Sequence, residues 1–102
     1  MSKEKYFVYV LLSLKDGRYY IGCTNQLPEE RLQQHNAGST ESTRNRRPFE
    51  LIYFEMYLVK ADALGREKFL KGGSGHTYLK KQLKNYFVLH RGVEQLGSSL
   101  GS

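Results

Sequence analysis

The chain has 102 residues, 39% of them hydrophobic, which suffices for one small domain with a single core and leaves no room for a second. Lysine and arginine number 16 against 10 acidic residues, and the formal net charge of +6 favours a polyanionic partner. No signal-peptide cleavage site and no membrane-spanning apolar run are visible, so we expect a cytoplasmic protein without a membrane partner. Cys23 is the only cysteine, which excludes an internal disulfide and a cysteine-rich zinc site, so any metal would be held mainly by oxygen ligands.

A β-hairpin is predicted at the start of the chain. Residues 6–12 are apolar at nearly every position, as in a strand covered on both faces, and residues 18–23 are rich in tyrosine and other strand-forming residues. The dipeptide Asp16-Gly17 between them is a strong signal for a short hairpin turn. The first two strands are therefore expected to pair antiparallel.

The hairpin carries two tyrosines that could share a site. A two-residue turn would place Tyr9 opposite Thr24, and Tyr9 and Tyr20 would point to the same face with an offset of four residues, or about 13 Å at roughly 3.3 Å per residue. Gly22 on that face would leave a hollow that could admit a ligand. Phenols also pack well on a half-buried sheet, so either tyrosine alone could be structural.

A short helix is predicted after the hairpin, because Pro28 suits its first turn and Gly38 its end. Arg31 and His35 are four residues apart and would stand on one face of this helix. Arg31 could be a solvated side chain or a clamp for a phosphate, and His35 could be a surface histidine. Their position directly after the tyrosine hairpin favours a functional role for both.

Residues 39–48 are polar, lack helical or strand periodicity and end in a proline, so we expect a basic loop. Arg44, Arg46 and Arg47 in this loop, together with Lys71, are candidates for contacts with the backbone of a nucleic acid. Runs of charge are more often simply solvated.

A third strand is predicted over residues 49–59 and a helix over residues 61–71. Glu67 falls on the apolar stripe of that helix, and burial of a carboxylate is costly unless it is paired or binds a cation. An ion pair with Lys71 is one explanation. The other is a divalent metal, because one carboxylate with several waters is a common way to hold Mg²⁺.

The glycine-rich segment 72–75 is expected to break this helix, and Ser74 could cap a last helix over residues 76–85. Residues 91–102 are rich in glycine and serine and are expected to form a flexible tail behind a domain spanning residues 1–90.

Taken in order, these motifs resemble the GIY-YIG nuclease superfamily over about residues 6–83. The similarity is greatest to its small stand-alone bacterial members, which are relatives of the nuclease module of the excision-repair C subunit and of structure-specific nucleases. The segments that carry the resemblance are Val8-Tyr9-Val10, Tyr20-Ile21-Gly22, Thr24-Asn25, Arg31-Leu32, His35-Asn36, Thr43-Arg44, Arg47-Pro48, Arg66-Glu67-Lys68 and Leu70-Lys71.

The resemblance implies an α+β fold, a three-stranded antiparallel sheet flanked by helices, and hydrolysis of DNA phosphodiester bonds with Mg²⁺ or Mn²⁺. It implies that Tyr20 positions or deprotonates the attacking water, that Tyr9 hydrogen-bonds in the same site, and that Arg31 stabilises the scissile phosphate. Glu67 would bind the metal, and His35 occupies a position where the family has histidine or tyrosine. Single-stranded or branched DNA and a role in repair or recombination fit this family.

The sequence departs from the family pattern at three places near the site. Val8 replaces the glycine before the first tyrosine and Val10 the isoleucine after it, while Cys23 stands where the excision-repair relatives carry lysine, which removes one contact to phosphate. These departures bear on substrate and rate more than on fold.

Two other functions remain open from the sequence. A nucleic-acid-binding module without catalysis would keep the fold and the basic surface, and a subunit that depends on an unknown protein partner would be active only in its complex. A chain this short could also enlarge its DNA footprint by forming a homodimer.

Overall fold

Three strands form one antiparallel sheet in the order β2-β1-β3 in the computed structural model, which describes residues 4–91. The strands are β1 (Tyr6–Ser13), β2 (Tyr19–Thr24) and β3 (Phe49–Tyr57). The helices are α1 (Pro28–Asn36), α2 (Glu41–Arg44), α3 (Lys60–Lys71), α4 (Gly73–Gln82) and α5 (Lys84–Arg91). The predicted α+β architecture of a three-stranded antiparallel sheet with flanking helices is confirmed.

The central strand β1 has apolar residues on both faces because both faces are covered. On one face Val8 and Val10 pack with Leu70 of α3 and Leu79 of α4. On the other face Tyr9 and Leu11 pack with Phe49, and Leu32 of α1 closes this second cluster. The sheet therefore separates two small cores, and the tyrosine face is the one on which α1 lies.

The predicted register of the hairpin is wrong by two residues. Tyr9 pairs with Gly22 rather than with Thr24, and the turn spans residues 14–17 rather than Asp16-Gly17 alone. The reason is Ser13, whose hydroxyl oxygen accepts the backbone N–H groups of Lys15 at 3.2 Å and Asp16 at 3.0 Å and so stabilises a longer loop.

A shift by two residues keeps every side chain on its face, because the side-chain period of a strand is two. Tyr9 and Tyr20 therefore share a face as predicted, but their offset is two residues instead of four, and their ring centroids are 6.3 Å apart. The predicted hollow at Gly22 is also wrong, because the ring of Tyr9 occupies it: a Cβ at residue 22 would lie 2.6 Å from the Tyr9 hydroxyl oxygen.

The segment 39–48 is not wholly irregular, since it contains the one-turn helix α2. A single turn is too short to produce a periodic pattern, and its formation accompanies complete burial of Thr43. The third strand and the following helix are confirmed, although β3 ends at Tyr57, two residues before the predicted end.

The glycine-rich segment interrupts the helices less than predicted. Only Gly72 separates α3 from α4, and Gly75 lies inside α4, packed so closely on the backbone of α3 that no Cβ would fit there. Ser74 makes no capping hydrogen bond, and α4 ends at Gln82 before a separate helix α5. Of the predicted tail, residue 91 belongs to α5 and residues 92–102 lie outside the described part of the chain.

Within residues 4–91, every helix is too short or too polar to cross a lipid bilayer.

Candidate active site

The tyrosine face of the sheet brings together Tyr9, Arg31 and His35. The Tyr9 hydroxyl lies 3.1 Å from Nε2 of His35, and Nε of Arg31 donates a hydrogen bond to that hydroxyl at 3.3 Å. Nη2 of Arg31 is 3.4 Å from the same histidine nitrogen. The strand thus supplies the phenol, and α1 supplies the cation and the imidazole from one of its faces, as their four-residue spacing predicted.

Thr43 contacts the other ring nitrogen of His35. Its hydroxyl is 2.8 Å from Nδ1 of His35 and itself donates to the carbonyl oxygen of Thr40 at 3.4 Å. Because that hydroxyl proton is used, and because Arg31 can only donate to Nε2, the proton of the imidazole lies on Nδ1 and is donated to the Thr43 hydroxyl oxygen, which leaves Nε2 as an acceptor for the Tyr9 hydroxyl. A directed chain of hydrogen bonds therefore runs from Tyr9 through His35 to α2.

The protonation states of Tyr9 and His35 agree with this series of hydrogen bonds. Burial, with a smaller contribution from the positive charge of Arg31, lowers the pKa of His35 to about 4, so the imidazole is neutral at pH 7. Burial likewise raises the pKa of Tyr9, and the nearby Arg31 only partly opposes this. Tyr9 is therefore a protonated donor at neutral pH and is poorly suited to act as a base.

Tyr20 differs from Tyr9 in its access to solvent. Its ring packs against the His35 ring with centroids 4.7 Å apart, yet the residue is only half-buried, whereas Tyr9 is 1% exposed. Among residues 4–91, the structure gives the Tyr20 hydroxyl no hydrogen-bond partner. This hydroxyl can thus bind a water or a substrate oxygen without first breaking an internal contact.

Arg31 is half-buried, and its guanidinium is held by side chains of β1 and of its own helix α1. Besides Tyr9 and His35, it donates to the side-chain oxygen of Gln34 one turn further along the helix. A guanidinium anchored in this way keeps its charge in one place, which is the arrangement that phosphate binding requires.

Glu67 of α3 interacts electrostatically with Tyr9 of β1 and with Cys23 of β2. Burial is the main cause of the raised pKa of Tyr9 and of Cys23, and the negative charge of Glu67 adds to the rise at both. Its carboxylate is 19% exposed and pairs with Nζ of Lys71 at 3.1 Å. The ion pair considered as an alternative from the sequence is therefore present, and the carboxylate is partly exposed.

A cation at Glu67 would have to keep most of its waters. No group of three or more histidine, cysteine, aspartate or glutamate side chains is close enough to enclose an ion in the described part of the chain. Mg²⁺ often binds proteins through one or two carboxylates together with waters and substrate phosphates, and a single carboxylate oxygen fits that manner of binding.

The three arginines predicted to contact nucleic acid are partly engaged within the protein. Arg46 forms an ion pair of 2.8 Å with Asp16 and bonds the carbonyl oxygen of Tyr19, so it ties the hairpin turn to the segment before β3. Arg44 and Arg47 are exposed and bond only carbonyl oxygens through their side chains, which leaves their positive charges uncompensated by any carboxylate in residues 4–91.

Two features of the site were missed from the sequence. Thr43 is a buried hydroxyl in a segment without periodicity, and nothing in its local sequence links it to a histidine eight residues earlier. The second is an ion pair of 2.9 Å between Arg66 and Glu55, which joins β3 to α3 one residue before Glu67. Tyr53 at 2.5 Å and Tyr57 at 2.6 Å also donate hydrogen bonds to the carboxylate of Glu55.

Comparison with known proteins shows the family of this chain. The profile of the GIY-YIG catalytic domain matches residues 5–85. A UPF0213 protein of Bacillus pumilus is 43% identical over 96 residues, covering 93% of this chain and 90% of the relative. A UPF0213 protein of Staphylococcus saprophyticus is 37% identical over 78 residues, covering 76% of this chain and 93% of the relative.

Among solved structures, the solution NMR structure of the UPF0213 protein BH0048 from Bacillus halodurans matches with a TM-score of 0.44 and 26% identity. The match covers 96% of this chain and 98% of that one. Since the domain profile covers most of the sequence and the two relatives are similar over nearly their full lengths, this chain belongs to the GIY-YIG nuclease family.

Proposed function

We propose that this protein is an endonuclease that hydrolyses DNA phosphodiester bonds and uses one divalent cation, Mg²⁺ or Mn²⁺. The observation that carries the proposal is the position of Arg31: its guanidinium is fixed by Tyr9 and His35, and the ring of Tyr20, whose hydroxyl has no partner in residues 4–91, packs against the same His35. A fixed cation and a free phenol on one face are what in-line attack of water on a phosphodiester needs.

Arg31 has the role of neutralising charge on the scissile phosphate. Hydrolysis builds negative charge on the phosphoryl oxygens, and a preorganised donor stabilises that charge without reorganising at the moment of reaction. The buried pair of Tyr9 and His35 holds the guanidinium in place, and both groups are uncharged at pH 7, so the positive charge of Arg31 stays available to the substrate.

Tyr20 has the role of orienting or deprotonating the attacking water. It is the more accessible of the two tyrosines, and its oxygen is not committed to a side chain of the described residues. Tyr9 has a different role, because its raised pKa keeps it protonated and its proton is directed to His35. Tyr20 thus contacts the water, and Tyr9 supports Arg31.

Glu67 is the residue that would hold the cation. The ion would supply positive charge to the phosphate oxygens and to groups that lose a proton nearby. Lys71, which pairs with one oxygen of this carboxylate, would contact the DNA backbone if the cation took its place. Arg44 and Arg47, whose charges are not paired with carboxylates in residues 4–91, provide further contacts to phosphates.

The test is cleavage of end-labelled single-stranded, duplex and flap DNA with Mg²⁺, with Mn²⁺ and with chelator. We expect cleavage in the presence of metal and a loss of about 100-fold or more for Glu67→Gln, within the range that one catalytic group commonly contributes. Asp62→Asn removes an exposed carboxylate from the same helix and should leave the rate unchanged.

If the protein binds DNA in a salt-dependent way but cuts none of the three substrates, it is a binding module and the proposal is wrong. Equal cleavage rates for Glu67→Gln and the parent protein would show that Glu67 is not part of the active site.

A further inference from the structure

The tyrosine face of the sheet carries an apolar surface that the proposed chemistry does not use. Phe54 and Met56 of β3 are 44% and 47% exposed. Both stand on the same face as Tyr9, because Phe54 is the direct cross-strand partner of Tyr9, and Met56 that of Phe7. Directly paired residues of antiparallel strands have Cβ atoms about 5 Å apart, so this surface adjoins the active-site cluster.

Helix α1 covers only the other end of this face. Its last residue, Asn36, bonds both the N–H and the carbonyl oxygen of Phe49 at the start of β3, which fixes the helix there. Phe49 is therefore buried, whereas Phe54 remains exposed to solvent in the part of the chain that the structure describes.

The exposed ring of Phe54 is held in a defined position by a neighbouring ring. The rings of Phe54 and Phe7 meet edge to face with centroids 5.9 Å apart and an interplanar angle of 72°, and Phe7 itself is 9% exposed. A neighbouring buried ring limits the rotamers of Phe54, so little entropy would be lost when a flat partner binds.

We propose that Phe54 is a stacking platform for one unpaired base that flanks the scissile phosphate, with Met56 as its apolar border. This inference rests on the proposed nuclease function. The surface is continuous with the Tyr9 and Arg31 cluster, so a strand whose phosphate lies at Arg31 passes over it, and the chain's net charge of +6 favours that polyanion.

The ligand must be an unpaired base because the faces of bases inside a duplex are covered by their neighbours. Aromatic side chains on sheets bind single strands by this contact, which tolerates any sequence because every base has a π face. Phe54 would therefore position single-stranded or splayed DNA without reading a base identity.

The test is a thermodynamic cycle between the ring and the base. Affinity is measured without divalent metal for two single-stranded oligonucleotides, one intact and one with consecutive abasic sites in its centre. We expect Phe54→Leu to weaken binding of the intact strand about tenfold, within the 1–3 kcal/mol known for stacking, while Phe54→Tyr binds like the parent. On the abasic strand the three proteins should bind equally.

The matched control is Phe69→Leu, since Phe69 is 41% exposed and lies on α3, which packs on the opposite face of the sheet. It should bind the intact strand like the parent. Circular dichroism of each variant confirms that the fold is kept.

Equal affinity of Phe54→Leu and the parent for the intact strand would overturn the inference, as would an equal loss on both strands. The inference also fails if the parent binds no single strand, or if Phe54→Leu only converts a dimer into a monomer in sedimentation, which would make this face a contact between copies. Binding is measured without cleavage, so the two proposals can fail separately. If the cycle gives the expected affinities but the protein never cuts DNA, the nuclease proposal is refuted and the stacking role of Phe54 is not.

Discussion

The ring of Tyr9 lies directly over Gly22 of the neighbouring strand, where a Cβ at residue 22 would stand 2.6 Å from Cζ and 2.6 Å from the hydroxyl oxygen of the phenol. The missing side chain of Gly22 is what allows this hydroxyl to reach His35 at 3.1 Å and Arg31 at 3.3 Å. The glycine of β2 is therefore a steric requirement of the site.

Gly22→Ala should displace the Tyr9 ring and separate it from Arg31 and His35. We expect a loss of unfolding free energy of about 1–3 kcal/mol, typical of overpacking, together with a strong loss of nuclease activity. Gly65→Ala is the control, because a Cβ there meets nothing within 4 Å in helix α3, and alanine should stabilise the helix by up to about 1 kcal/mol. Chemical denaturation and cleavage assays report both effects. Full activity in Gly22→Ala would show that the phenol need not lie where it does.

The two tyrosines should respond differently to loss of their hydroxyls. Tyr20→Phe should leave stability unchanged, because its hydroxyl has no partner in residues 4–91, but lower the cleavage rate about 100-fold or more. Tyr9→Phe should lower stability by about 1–3 kcal/mol, since the buried hydroxyl that donates to Nε2 of His35 and accepts from Nε of Arg31 is lost. Thermal unfolding and single-turnover cleavage separate these effects. A stability loss in Tyr20→Phe that equals the loss in Tyr9→Phe would contradict the assignment.

Thr43→Val should uncouple His35 from α2 while keeping the shape of the side chain. The Nδ1–H group of the buried imidazole would lose its acceptor at 2.8 Å, which costs about 1–3 kcal/mol. Thr43→Ser keeps the hydroxyl and should keep most of the activity. Chemical denaturation of the two variants measures the loss, and equal stability of Thr43→Val and the parent would refute the role given to Thr43.

The stability of the protein should fall in mild acid because of His35. Its pKa is about 4 in the folded state and 6.5 ordinarily, so between these values the unfolded state binds more protons. The free energy of unfolding should therefore decrease as the pH falls from about 6.5 to about 4, by at most about 1.4 kcal/mol per pH unit for this one group.

Denaturation of the parent and of His35→Gln across this range tests the effect, and the slope should be smaller in the variant. The carboxyl of Asp16, whose pKa the hydrogen bond from Arg46 holds below its usual range, should act only at lower pH. Parallel pH profiles for the two proteins would assign the acid sensitivity to other groups.

Some features of this protein follow from local patterns in its sequence. The apolar run of β1 predicts a strand covered on both faces, and Pro28 and Gly38 bracket α1, whose observed bounds are Pro28–Asn36. The four-residue spacing of Arg31 and His35 places both on one face of a helix whatever surrounds it. The ordered motifs from Tyr9 to Glu67 were sufficient to identify the family, because they depend on residue types and order rather than on distances.

The tertiary structure decided how these residues meet. The side chain of Ser13 lengthened the hairpin turn and moved Tyr9 opposite Gly22, a shift that the Asp16-Gly17 signal could not reveal. The contact of Thr43 with His35 and the pairing of Arg46 with Asp16 join residues 8 and 30 positions apart, with no local signature. Helix and strand periods determine which face a side chain occupies, whereas the partner it meets there depends on register and packing between segments distant in the chain.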